Sequence, residues 1–172
     1  MHAVRIDAIG DSAATRALLA DLLVEVVAAG GSVSFMHPLA HSAALAFWQT
    51  ALAAAARAER VVLGAWDGEQ LVGTVSVLLD CPPNQPHRAE IAKMMTRISH
   101  RGRGVASALL QRAEAVAAAH GKTLLVLDTA SEGGAAGLYQ RQGYTLAGTI
   151  PHYALKPHGG LTGTMIFWKM IA

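Results

Sequence analysis

The chain has 172 residues, enough for one domain with a sizeable buried core. With 52% apolar and 15% charged residues it is expected to fold, and with a net charge of +2 spread along the chain it lacks the basic stripe of a nucleic-acid binder. One cysteine, Cys81, excludes an intrachain disulfide. No apolar run is long enough to span a bilayer and Met1 to Gly10 does not resemble a signal peptide, so a soluble cytoplasmic protein is expected.

Val4 to Ala8 predicts a short first strand. Asp11-Ser12 can cap a helix running to about Ala28, with Leu18, Leu19, Leu22, Leu23 and Val26 at helical spacing, and Gly30-Gly31 ends it. An irregular connection follows, and Pro38 is expected at or near the start of a second helix reaching about Arg57. Val61 to Trp66 and Leu71 to Leu79 flank Asp67-Gly68, a hairpin signal. Three prolines make Cys81 to His87 a loop, and Ala89 to Thr96 predicts the next strand. Gly102 to His120 predicts a long amphipathic helix stopped by Gly121. Thr123 to Asp128 is continuously apolar, which predicts a strand buried on both faces. A short helix from roughly Gly134 to Gln142, then strands at Thr145 to His152 and Thr164 to Met170, complete the order β-α-α-β-β-β-α-β-α-β-β, one mixed α/β domain over residues 1–172.

The most informative segment runs from Lys93 to Ser107. A strand enters, a turn with Gly102 and Gly104 follows, and a long helix leaves. The first amides of a helix have no intrahelical acceptor and carry the positive end of the helix dipole. Glycines let a ligand approach them, and Arg101 and Arg103 add charged donors, so the segment predicts a diphosphate cradle. A Walker loop would need Gly-Lys-Ser/Thr, and a dinucleotide fingerprint a third glycine where Ser107 stands; neither pattern is met.

Arg101-Gly-Arg-Gly104-Val-Ala106 fits the Q/R-x-x-G-x-G/A signature of the GCN5-related N-acetyltransferase (GNAT) superfamily, and Ala135-Ala-Gly-Leu-Tyr139 through Gly143-Tyr144 resembles its A-x-x-L-Y-x-x-x-G-F/Y segment. Together with the strand and helix order these cover about half of the chain, from Ala89 onwards. Within the superfamily, Gly30 to Met36, Arg88-Ala-Glu90, Lys93-x-Met95 and Leu127-Asp-Thr129 look most like the tabtoxin-resistance acetyltransferases. Thr96, Ile98 and Ser131-Glu132 depart from the usual pattern.

The resemblance implies a splayed central sheet with acetyl-CoA as acyl donor in the cleft. It places the pantetheine arm along Met94, Met95 and Thr96 and the diphosphate on Arg101, Gly102, Arg103, Gly104, Val105, Ala106 and Ser107, with Gly134 and Tyr139 completing the cofactor-binding set. An amide at Met94 or Met95 would stabilise the oxyanion, and Tyr139 would protonate the departing thiolate. Glu90 and Asp128 are candidates for deprotonating the acceptor amine or for attracting it as a cation; a solvated strand start and a cap on the turn through Thr129 and Ala130 are their structural alternatives. Leu138 and Tyr144 are expected in the core, and Phe35, Met36, His37, His152 and Tyr153 near the acceptor walls. His37 and His41 have the spacing of a helical metal pair, but no third ligand is evident and direct acetyl transfer needs no metal. The expected activity is acetylation of an amine on a small molecule, such as an amino-acid-like toxin or antibiotic. The rivals are an acyl-CoA-holding module without turnover and a protein lysine or N-terminal acetyltransferase. No nucleic-acid or membrane partner is expected, while a mean hydropathy of +0.33 suggests a homodimer.

Overall fold

The computed structural model describes residues 4–133 and 135–171. Its elements are β1 (Arg5–Ala8), α1 (Ala13–Ala28), α2 (His41–Ala56), β2 (Arg60–Asp67), β3 (Gln70–Leu78), β4 (Arg88–Thr96), α3 (Val105–Ala119), β5 (Leu124–Ala130), α4 (Ala136–Arg141), β6 (Thr145–Leu155) and β7 (Leu161–Met170), with a single 3-10 turn at Ile98–His100. The expected element order is therefore observed. The strands form one seven-stranded sheet in the order β1-β2-β3-β4-β5-β7-β6, antiparallel except for the β4–β5 pair.

Helices α1 and α2 cover one face of the sheet and α3 the other, which makes two cores. On the first, Leu19, Leu22, Leu23, Trp48 and Leu52 pack with Leu71 and Met95. On the second, Leu109, Leu110 and Ala113 pack with Val72, Val75, Ile91, Leu125 and Phe167. Each fully buried leucine of this kind contributes about 1.5–3 kcal/mol of transfer free energy. β3 lies between both layers, and Leu71 to Val77 are all buried. The buried Thr74 hydroxyl is satisfied by donating to the Leu63 carbonyl at 2.7 Å. Gly73 leaves room for α3 against the sheet: a Cβ there would lie 2.9 Å from the Met95 carbonyl oxygen and 2.9 Å from a Val105 methyl.

Helix α1 starts as expected, with Ser12 at the N-cap in a reciprocal capping box with Thr15. Helix α2 does not begin near Pro38. The His37-Pro38 bond is cis, in the α1–α2 connection, and the helix starts at His41 after the N-cap Ala40. The long third helix is also shorter than its sequence pattern, because Gly102 and Gly104 both take positive φ and belong to the turn, leaving α3 to begin at Val105. β5 is not buried on both faces. Leu125 and Leu127 are buried, Leu124 and Val126 are half-buried and Asp128 is exposed, an alternation that leaves one face of the strand open.

Two irregularities in β4 shape the site. Its parallel pairing with β5 is confined to Arg88↔Leu124, Ala89↔Leu125 and Glu90↔Val126, so beyond Glu90 the two strands part. On its other side, Thr74 faces Met95 while Ser76 faces Ala92, so Lys93 and Met94 together oppose Val75. This β-bulge holds Lys93 at φ +52 and reverses the inside–outside alternation. Ile91 accordingly belongs to the core under α3, whereas Met95 belongs to the core under α1 and α2.

Candidate active site

The parting of β4 and β5 opens a cleft of about 940 Å³, bounded by the α1–α2 connection, the N-terminal end of α3 and the segment leading into α4. A cavity this size accommodates an extended ligand as well as a small second molecule. Met94, Met95 and Thr96 line it along β4, and Arg101, Gly102, Gly104, Val105, Ala106 and Ser107 line it at the head of α3. Arg103 does not join them: it is exposed and lies outside the lining. The expected contribution of Gly134 falls outside the described residues.

The head of α3 is prepared for an anion. No side chain caps it, in contrast to the capping box of α1. The first helical bond at this end runs from the Ala108 amide to the Gly104 carbonyl, 3.0 Å, so the Val105, Ala106 and Ser107 amides precede the helical ladder, and these three residues line the cleft. Gly104, at φ +81, and Gly102, at φ +73, allow the tight approach, and a Cβ at either would meet only open space. Glu25 of α1 fixes the preceding turn: its carboxylate accepts from the Ile98 amide at 2.9 Å and pairs with the Arg97 guanidinium, whose Nε donates to the Leu71 carbonyl at 2.8 Å.

The three predicted catalytic residues converge on this cleft. Glu90, the last β4 residue paired with β5, is half-buried, and its carboxylate lies 3.6 Å from Arg88. Asp128 does not cap a turn, since β5 continues to Ala130; its carboxylate accepts instead from the Thr164 hydroxyl of β7 at 3.0 Å. Tyr139 is buried, with its ring 5.8 Å from Phe167 and 5.9 Å from Tyr144, so it belongs to the core and to the cleft wall at once. Burial, and to a smaller degree the Asp128 carboxylate, push its phenol up to about 12, so it stays a proton donor at neutral pH. Tyr144 is core as expected, and Leu138, half-buried, packs against the same core while also lining the cleft.

Several lining residues were not foreseen as site residues. Lys93 projects from the bulge, Ser32 to Ser34 line the wall expected from Phe35, Met36 and His37, and Arg141, Glu132 and Lys156 complete the rim. Met36 and Tyr153 are exposed and, like His152, stand outside the lining. The turn between β6 and β7 rests on the α1–α2 connection and the end of α1: Pro157 accepts from the His37 amide at 2.9 Å, the His158 ring sits 4.4 Å from His37, and its Nε2 lies 2.9 Å from the Ala28 carbonyl. His41 pairs with Asp21 at 2.9 Å and His37 packs on His158, and among the described residues no group of side chains has metal-ligating geometry.

A family model described as Acetyltransferase (GNAT) family matches residues 32–144, about two thirds of the chain. The chain belongs to that family. The matched stretch includes the bulge, the α3 head, β5 and Tyr139, the parts that form the cleft. Solved structures share the architecture over nearly the whole length. The ribosomal-protein-alanine N-acetyltransferase of Brucella melitensis is 20% identical, with a TM-score of 0.82 over 97% of this chain and 99% of its own. An N-acetyltransferase of Staphylococcus aureus Mu50 is 18% identical, with a TM-score of 0.80 over 96% and 98%. The yncA protein of Salmonella typhimurium, solved with its cofactor acetyl-CoA, is 17% identical, with a TM-score of 0.77 over 99% and 95%. At these identities the likeness is one of fold; resemblance to tabtoxin-resistance enzymes in particular gains no support from it.

Proposed function

We propose that this GNAT protein transfers the acetyl group of acetyl-CoA directly to the amine of a small molecule. The observation that carries the reading is the pairing of an uncapped α3 head with a β4–β5 split opening on the same cleft. The Val105 to Ser107 amides and Arg101 would hold the diphosphate, and the β4 main chain from Met94 to Thr96, unpaired on its β5 side, would align the pantetheine arm. Such a cosubstrate supplies an activated thioester carbonyl.

The remaining steps belong to the chain's own groups. An alkyl amine, with a pKa of about 10.4, is protonated at neutral pH and must lose a proton to attack. Glu90 or Asp128 accepts that proton, directly or through water. A main-chain N–H at Met94 or Met95 donates to the carbonyl oxygen as negative charge grows on it. The new C–N bond forms as the C–S bond breaks, and the Tyr139 phenol protonates the leaving sulfur. The β6–β7 turn packs on the α1–α2 connection, next to the Ser32 to Ser34 and Lys156 walls, and this supports a small acceptor over a long peptide.

Kinetics of Tyr139→Phe, Glu90→Gln and Asp128→Asn test these roles. Tyr139→Phe and at least one carboxamide variant should lower kcat by about 10²-fold or more, in the range of general acid–base catalysis, with acetyl-CoA affinity kept. Full turnover in all three would remove the proton-transfer scheme, and full binding with no turnover by the wild type would favour the acyl-CoA-holding alternative.

A further inference from the structure

The acceptor end of the cleft carries a cation that the transfer chemistry does not use. The bulge turns Lys93 to the cleft wall, where its ammonium donates to the Ser34 hydroxyl at 3.0 Å and stands 5.9 Å from the Phe35 ring centre and 5.8 Å from that of Phe47. Those contacts hold a cation in place, and the rings favour its charge. They leave two of its three N–H groups without a hydrogen-bond acceptor among the described residues. Lys93 and Ser34 are both held at positive φ, +52 and +74, a conformation that costs a non-glycine backbone energy. Two strained non-glycine residues thus meet across the cleft to fix one ammonium.

The surrounding charges are mixed. Glu90 and Asp128 act on the Lys93 charge from the same end of the cleft, yet neither is within ion-pair distance, so a ligand has room between them. Arg88 already offsets Glu90 at 3.6 Å. Arg60 adds a further positive charge near Lys93, and its buried Nε has no partner among the described residues. Of Lys93, Arg60 and Arg88, only Lys93 lines the cleft together with the two carboxylates. A plain amine or a diamine would meet the carboxylates but leave Lys93 unpaired. A molecule with an amine and an anion a few ångströms apart would pair with both. Burial in the cleft wall pulls the Lys93 ammonium below the usual lysine range, against the opposing pull of Asp128, which is the state of a cation lacking its counter-ion.

We propose that Lys93 anchors an anionic group of the acceptor, and that the acceptor is a zwitterionic amine of the α-amino-acid class with its carboxylate on Lys93 and its amine toward Glu90 and Asp128. The inference rests on the acetyl-transfer reading for the fate of the amine and on the cleft geometry alone for the anion.

The test uses the full chain and matched pairs of amino acid and decarboxylated amine: phenylalanine with phenethylamine, methionine with 3-(methylthio)propylamine, and leucine with isopentylamine. Turnover with acetyl-CoA and ligand-detected NMR binding to the CoA-loaded protein are measured for wild type, Lys93→Met and Lys93→Arg. The wild type should favour the acid-bearing member of at least one pair by tenfold or more, Lys93→Met should bring that ratio toward one, and Lys93→Arg should retain most of it. Equal or reversed preference in the wild type, or an unchanged ratio in Lys93→Met, overturns the anion site even if acetylation proceeds. Acid-selective binding without turnover in any pair contradicts the transferase reading and supports the anion site; neither binding nor turnover in any pair overturns both the amino-acid assignment and its anchor.

Discussion

Replacing Gly104 by alanine separates the backbone role of the α3 head from its ligand role. Gly104 sits at φ +81 as the N-cap of α3, and a Cβ there would meet no protein atom within 4 Å. In the free protein the methyl group therefore costs only the left-handed backbone penalty, about 1–2 kcal/mol. On a domain of this size that lowers Tm by about 2–8 °C. In the complex the same methyl enters the space over the Val105 to Ser107 amides. Loss of one charge-assisted hydrogen bond to the diphosphate costs about 1.5–3 kcal/mol, roughly 10- to 150-fold in Kd. Gly121 provides the control. It also has positive φ, +72, and open space at its Cβ, but it follows the C-terminal end of α3, roughly 22 Å from the head at 1.5 Å per residue. Gly121→Ala should lower Tm by a comparable amount and leave CoA affinity unchanged. Calorimetric titration with CoA and thermal melting of both variants provide the assay. Equal CoA affinity in the two variants would refute the assignment of the α3 head as the diphosphate site.

Glu25 and Tyr139 give two further predictions, both read through stability. Glu25→Gln weakens the pair with Arg97, which is part-buried and partly screened, so stability should drop by about 1–2 kcal/mol in urea titration and CoA affinity should drop with it, because the Ile98 turn leads into the α3 head; an effect on stability alone would show that the turn is held by other means. Tyr139 has a folded pKa of about 12 against an unfolded value of about 10, so its contribution is complete below pH 10 and is lost as pH rises from about 10 to 12. Urea midpoints measured across that window should therefore decline more steeply for wild type than for Tyr139→Phe, and parallel slopes would contradict the burial of the phenol.

The sequence made the α3 end of the cleft readable because its signals are local. Glycines at Gly102 and Gly104, flanked by arginines and followed by an amphipathic run, specify a turn and a helix head within a few residues. The Ser12 cap and the Asp67-Gly68 hairpin were legible for the same reason. The acceptor half was not, because it depends on register. Strict alternation along β4 would put Lys93 on the same face as Ile91 and Met95, and only the extra residue opposite Val75 brings it to the cleft wall. Asp128 was located but its partner was missed, since Thr164 arrives from β7, 36 residues later, through a strand pairing with no local mark. The contact of the β6–β7 turn with the α1–α2 connection, His158 against His37, is non-local in the same sense. The Pro38 signal was overruled by the cis bond and the bend of the connection, which delay α2 to His41.

The central claim is direct transfer from acetyl-CoA to an acceptor amine in the β4–β5 cleft. Its most direct measurement is the stoichiometry of CoA thiol release against N-acetylated product, by mass spectrometry, with the intact protein mass followed in the same reaction. The account predicts one acetylated amine for each thiol released and an unmodified protein throughout. Thiol release without an acetylated amine, or acetyl groups accumulating on the protein before they reach the acceptor, would contradict it.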